Sequence, residues 1–450
     1  MVQDETREVV AQLDSFDAVE RREALKLLAP TLAEARSASR PEVNLHCHTF
    51  FSYNAQGWSP SRFAWEAANY GLEAAAIVDF DVLDGVREFL DACSLLKQKC
   101  AAGFESRVYV EEYSDRVINS PHEPGVYYLA GTGFTGRPEP GTKAARTLQS
   151  MAECAQTRNR EKTRRINDHL DPVTIDYDAD VLPLTPAGNA TERHMLVAYE
   201  ERAREAFDDE QALGEFWSDR LEEPLENVRE LLQDVVGLKK LIRSRLMKHG
   251  GVGYAPPEEG SFPRLEDVVR MTLDCGAVPS GCWLDGTSEG EADPHRHFSF
   301  LRDKGIPTLT IIPDRNWDID DPDEKALKVR KLHEALDAAA DLEMPVLVGT
   351  EMNKAGQKFV DTFSAPALEA YRERFLDAAH VVWGHTLLKR TAGVGMTGDW
   401  ADRWFGDDRA GRNEFFARVG SPPHPDPGSI EKLKSLGPTA TPDDYLNALE

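Results

Sequence analysis

From Pro41 onward, short apolar runs alternate with amphipathic helical stretches. That alternation restricts the chain to a parallel sheet, closed or open, with helices packed outside it. The runs expected to form strands are Val43–His48, Ala74–Phe80, Val126–Leu129, Ala277–Leu284, Thr308–Ile312, Pro345–Gly349 and His380–Trp383. A shorter one ends at Glu105. Ala74–Phe80 is continuously apolar, as a strand covered on both faces must be. Between the first two runs, Ser59-Pro60 starts a helix that carries Phe63, Ala64, Ala67 and Ala68 and stops at Gly71. Ser supplies the N-cap, Pro the first turn and Gly the left-handed exit. Asp84 is expected to cap a second helix, carrying Val86, Phe89, Leu90, Cys93 and Leu96.

Three segments fall outside this rhythm. Residues 1–40 read as an amphipathic helical extension, with Leu13, Leu25, Leu28 and Leu32 among charges. Residues 136–250 are charged and helix-favouring, above all Gln211–Leu246, and read as a helical insertion or cap that leaves at Gly250-Gly251. The tail, 421–450, holds four prolines by Pro427 and then a short helix, and is expected to be peripheral. The barrel-like remainder is thus 41–135 and 251–420.

Charge narrows the function classes. Asp and Glu number 78 against 52 Lys and Arg, a net charge of −26. Such a field repels phosphate backbones and anionic lipid, so neither a nucleic-acid nor a membrane partner is expected. No apolar run reaches membrane-spanning length, and the opening Met-Val-Gln-Asp-Glu lacks the regions of a secretion signal. The six cysteines form no CxxC pair, which points to reduced, buried thiols in a cytoplasmic protein.

The sharpest local pattern is Asn44-Leu45-His46-Cys47-His48-Thr49. On a strand, Asn44, His46 and His48 share one face. Two imidazoles at the C-terminal end of a first strand can chelate one ion, or can simply be surface histidines. Asp79 and Asp81 follow the next apolar run, as a buried strand end and helix caps or as acid–base groups. Glu105 ends the following strand, where an isolated Glu is more often solvated than ligating. Trp283–Glu291 forms a polar loop after a strand, equally a catalytic loop around Asp285 or an acidic turn. Asp314 and Arg315 also follow a strand; Arg315 can grip an anion bidentately or pair with Asp314 or Asp318. His385 follows the last apolar run, as general acid, substrate contact or structural imidazole. His194 carries the same ambiguity, and His295, His297 and His424 lie in polar segments that suggest exposure.

The order HxH, acidic cluster, then Gly103-Phe104-Glu105, with Ser59-Pro60, Gly71-Leu72 and Gly85-Val86 around it, resembles the PHP (polymerase and histidinol phosphatase) metallohydrolases. The resemblance is specific over 41–110 and weaker over 275–360. It implies a distorted seven-stranded β/α barrel with divalent ions, up to three in the family, at the strand ends. It also implies that Glu351 and Asn353, in Gly349-Thr350-Glu351-Met352-Asn353, stand where the family has an Asp and a His. Trp283 and Tyr127 fall at two further His positions, Phe80 at another, and Tyr53 or Asn54 at a ligand position after the first motif. Thr191-Glu192-Arg193-His194 loosely resembles an Arg-x-His segment of the family's insertion.

Residue by residue, the resemblance leaves one complete ligand set: His46, His48, Glu105 and Glu351. The expected cofactor is a divalent metal, zinc, manganese or iron. Further sites would be empty or partly rebuilt from Asp79, Asp285 and Glu289. The expected activity is metal-dependent hydrolysis of a small molecule, a phosphoester by resemblance. Asp79 or Asp285 would take a proton, His385 would assist, and Arg193, His194, Asp314, Arg315 and Asn353 would bind substrate. The alternatives are a mononuclear hydrolase of an amide or other carbon-centred bond and a degenerate, non-catalytic binding or regulatory protein. A polymerase-associated nuclease is disfavoured by charge. The sequence sets neither substrate nor oligomeric state.

Overall fold

The computed structural model describes residues 2–35, 39–258 and 260–450. Two compact units emerge, one of residues 1–50, 54–149 and 263–450, the other of 51–53 and 150–262.

The first unit is built on seven strands: β1 (Arg40–Cys47), β2 (Leu72–Phe80), β3 (Lys99–Tyr109), β4 (Val126–Thr132), β5 (Val278–Trp283), β6 (Thr308–Ile311) and β7 (Val346–Val348). They pair in chain order. An isolated parallel bridge between Cys47 and Glu351 brings the end of β7 back to β1, which nearly closes a barrel. Two hydrogen bonds make that bridge: Glu351 N–H donates to His46 O at 2.7 Å, and His48 N–H donates to Glu351 O at 2.9 Å. The Asn44 side chain clips the same seam. Its Nδ2 donates to Thr350 Oγ1 at 3.0 Å and its Oδ1 accepts from Thr350 N at 3.3 Å. The chains approach so closely that a Cβ at Gly349 would lie 2.3 Å from the His46 nitrogen and 2.7 Å from Asn44 Oδ1.

Two strand expectations are corrected. β4 runs antiparallel to both β3 and β5. The link from β3 to β4 holds only a single 3₁₀ turn, Glu111–Tyr113, and no crossover helix, and without one a neighbouring strand returns antiparallel. The run His380–Trp383 lies inside a helix, Arg372–Ala392. That helix packs on β1, β2, β3 and β7 and on the helix Arg409–Gly420. Covered on several sides, it is apolar around much of its circumference, and a short apolar run in such a helix reads the same as a buried strand.

The helices of the expected extension, Val2–Gln12 and Ala18–Ala35, bury Leu25, Leu28 and Leu32. Arg21 pairs with Glu88 of the helix Val86–Leu96. The tail is less peripheral than expected: Leu433 and Tyr445 are buried, and Tyr445 meets the Trp400 ring edge-on at 5.6 Å. The second unit has no strand among its described residues. Its apolar core gathers Ile166, Tyr199, Trp217, Leu238 and Ile242. No helix among the described residues is long and apolar enough to cross a membrane.

Gly349→Ala should lower the stability of the barrel by about 1–3 kcal/mol, because the new methyl meets backbone that cannot step aside. Gly136→Ala, whose Cβ meets open space, serves as the control and should stay within about 0.5 kcal/mol of the parent. Urea unfolding of the two variants checks this.

Candidate metal centre

The alternation of β1 turns His46 and His48 into the barrel and Cys47 away from it. In the parallel register of β2 and β3, Phe80 stands beside Glu105. Glu105 therefore faces the two imidazoles, while Phe80 stacks on His48 with centroids 4.3 Å apart and planes 17° from parallel. Glu105 Oε2 lies 3.3 Å from His46 Nε2 and 3.2 Å from His48 Nε2. Ligands about 2.0–2.1 Å from a tetrahedral ion stand roughly 3.3 Å from one another, so these spacings are those of a coordination shell.

Burial strengthens the case. His46, His48 and Glu105 are 1%, 0% and 4% exposed. Both nitrogens of His46 and Oε2 of Glu105 are buried without a well-formed hydrogen bond. Each such group costs about 1–3 kcal/mol unless something satisfies it. A divalent cation held by the trio would satisfy His46 Nε2 and Glu105 Oε2 together. Electrostatics agree. Burial alone would lower the His48 pKa, but the bond to Glu105 and the charges of Glu105, Glu351 and Asp79 outweigh it and raise the value. Burial would likewise raise Glu105, yet the two imidazoles hold it well below the usual carboxylate range.

Glu351 sits at this site but outside the trio. Its backbone forms the barrel seam, and Glu351 and Met352 are consecutive non-glycine residues in the left-handed region, with φ of 62° and 55°. Each such residue costs on the order of 1 kcal/mol or more, a strain typical of functional positions. Its carboxylate is held by others: Arg315 Nη2 donates to Oε1, and Gln357 Nε2 donates to Oε2 at 3.2 Å. Arg315 thus pairs with neither Asp314 nor Asp318; Asp318 pairs with Lys358. Asp314 opens the short helix Asp314–Trp317, its pKa pushed up to about 6 by burial and the charge of Asp361. Asn353 is half-buried two residues past Glu351.

The remaining candidates are tied elsewhere. Asp79 accepts from Thr49 N and from the Thr49 hydroxyl, both at 2.7 Å, and so fixes the exit of β1. Asn54 Nδ2 donates to His48 O at 2.8 Å, steadying the same loop. Asp285 Oδ1 accepts from Thr287 N and Oγ1, and Oδ2 pairs with Lys328 at 3.2 Å. Its loop closes on Glu291, which accepts from the N–H groups of Leu284, Asp285 and Gly286, and Glu289 stays exposed. Burial raises Glu291 to about 7 despite those bonds.

His385 lies on the buried helix Arg372–Ala392, with both ring nitrogens on backbone. Nδ1 accepts from Met396 N at 3.0 Å and Nε2 faces Gly133 O at 3.2 Å. The expected strand-end placement is corrected, since His385 lies inside the helix, and burial holds its pKa down at about 4. In the second unit, His194 Nδ1 accepts from Thr191 N at 3.1 Å in a capping box, its ring edge-on to Tyr53. Arg193 is half-buried on the same helix. His297 is buried, not exposed, and packs edge-on to Tyr127 at 5.5 Å.

Two residues named by the resemblance are displaced by one position. Tyr128, not Tyr127, shares the face of Arg107 in the antiparallel register that also pairs Glu105 with Ala130. Cys282, not Trp283, points at the site, its Sγ 3.9 Å from Glu105 Oε1. The alternation from Glu105 to Arg107 was available in the sequence; the positions of Tyr128 and Cys282 depend on strand register, where a one-residue slip exchanges the faces.

No known family profile matches the chain, and no curated protein matches it in sequence. Among solved structures, one resembling it is an amidohydrolase from Chromobacterium violaceum with bound sulfate and no metal. It is 14% identical, with 74% of this chain and 96% of that one covered and a TM-score of 0.47. Another is a Bifidobacterium adolescentis protein ascribed metal-dependent phosphoesterase activity, 16% identical, with 75% and 97% covered and a TM-score of 0.45.

The raised pKa of His48 fixes the sign of a pH test. In ion-free protein, the stability from protonated His48 beside Glu105 is complete below the unfolded value near 6.5 and is lost as pH rises through the higher folded value. Ion binding needs the neutral imidazole and runs the other way. Ion-free protein should therefore lose stability to urea on going from mildly acidic to mildly alkaline pH, while zinc uptake strengthens over the same interval. Zinc uptake that weakens as pH rises would contradict this assignment.

Proposed function

We propose that this chain is a metal-dependent hydrolase of a small anionic molecule, with its centre at His46, His48 and Glu105. The observation that carries the reading is the buried cluster itself: three ligand atoms within 4.8 Å of one another, two residues of which leave polar atoms without hydrogen bonds. It lies at the C-terminal ends of β1 and β2, where parallel barrels place their chemistry, with Glu105 inside β3 level with Phe80. A divalent ion bound there supplies Lewis acidity, polarising the scissile bond and acidifying water.

The chain's own residues do the rest. The Arg315 side chain, 39% exposed at the site, binds and orients the substrate's anionic group. Phe80 covers one face of His48 and keeps water from it. Glu351, the carboxylate beside the trio that Arg315 and Gln357 hold, accepts the proton released when water attacks. Asp79 and Asp285 hold the loops around it. Phosphoester hydrolysis follows from the family resemblance. A single ligand cluster among the described residues favours instead a mononuclear centre acting on an amide or other carbon-centred bond. The excess of acidic residues argues against a nucleic-acid substrate and leaves a small one as the expectation.

Metal analysis of purified protein, followed by a screen of phosphoesters, lactones and amides with zinc, manganese and iron, tests both readings. About one ion per chain is expected, lost in His46→Ala and Glu105→Gln, with hydrolysis falling by roughly 100-fold or more. Trace metal insensitive to either substitution would sink the hydrolase.

A further inference from the structure

Arg315 does more at this site than wait for a substrate. Among the described residues its one hydrogen-bonded partner is Glu351. It also feels the charge of Glu105, and Glu351 in turn feels Glu105, His46 and His48. Two carboxylates, each less than 7% exposed, thus face one guanidinium around the space the trio encloses. With neutral imidazoles this group carries one net negative charge; a divalent ion turns it into one net positive charge.

We propose that Arg315 and the divalent ion are alternative counter-charges for Glu351, so that ion binding frees the guanidinium for an anion. The inference rests on the metal-centre reading above and adds to it a coupling between ion and substrate. In ion-free protein, Glu351 occupies Arg315, and the two buried carboxylates oppose a further anion. When the ion enters, it becomes the dominant counter-charge for both carboxylates. Arg315, already partly exposed, then presents its planar fork outward to a phosphate or carboxylate. By linkage, the anion must strengthen ion binding by the same factor as the ion strengthens anion binding. No covalent step is involved.

The probes are zinc and inorganic phosphate, measured by calorimetry on the full chain. Three results are expected. Phosphate binds zinc-loaded protein and fails to bind ion-free protein. Arg315→Met binds zinc roughly ten- to a hundredfold more tightly than the parent, because a nearby competing cation is gone, and loses phosphate. In a Glu351→Gln background, the same substitution tightens zinc far less. Equal phosphate affinity with and without zinc would overturn the proposal, as would an unchanged or weakened zinc affinity in Arg315→Met. The same tightening in the Glu351→Gln background would overturn it too, since simple repulsion would then suffice. If Arg315→Met does not fold, the wild-type linkage between zinc and phosphate decides alone. Failure of the parent to take up zinc at all would sink the metal centre itself, a result distinct from zinc uptake without coupling.

Discussion

The seam between β1 and the end of β7 is the contact on which the rest depends. Two backbone hydrogen bonds and the Asn44 clip close the sheet there. In doing so they place His46, His48 and Glu351 on one short stretch of facing backbone. The site is therefore not an ornament on a finished barrel. The closure that completes the fold also brings together residues some 300 positions apart in sequence. Anything that loosens the seam, such as bulk at Gly349, disturbs fold and site together.

Charge is the second constraint. A buried carboxylate is costly unless a cation answers it. This site holds two, Glu105 and Glu351, with imidazoles on one side and a guanidinium on the other. The structure answers Glu351 with Arg315 and leaves Glu105 against two histidines whose ring nitrogens lie at ligand spacing. Around this site, Asp79, Asp285, Glu291 and His385 are each tied to backbone or a neighbouring side chain. The unsatisfied atoms of His46 and Glu105 differ from others, such as the two ring nitrogens of His297, in belonging to a cluster that can hold an ion.

How much of this the sequence carried depends on the range of the interaction. The period of two along β1 was enough to put His46 and His48 on one face, and six of the strand positions were legible as apolar runs between caps and glycines. The direction of β4 was not, because it depends on the missing crossover between β3 and β4. The helix Arg372–Ala392 was read in part as a strand because a helix covered on several sides loses its polar stripe. Tyr128 and Cys282 were missed in favour of their neighbours because which residue faces inward is set by register across strands. His297 was misjudged because its polar neighbours in sequence point outward while it turns towards Tyr127. The partner of Arg315 was invisible for the same reason: Glu351 meets it only once the barrel has formed.

On the proposed reading, the paired left-handed residues Glu351 and Met352 set stability and activity against each other at a single point in the chain. Glycine at either position would relax the backbone, and at 351 it would do so by deleting the carboxylate. A search for thermostable variants that scores folding alone would be drawn to this corner and would erase the carboxylate the proposed centre uses. Selection schemes for this protein therefore need a readout at the site itself, because heat resistance and a working centre will diverge here first.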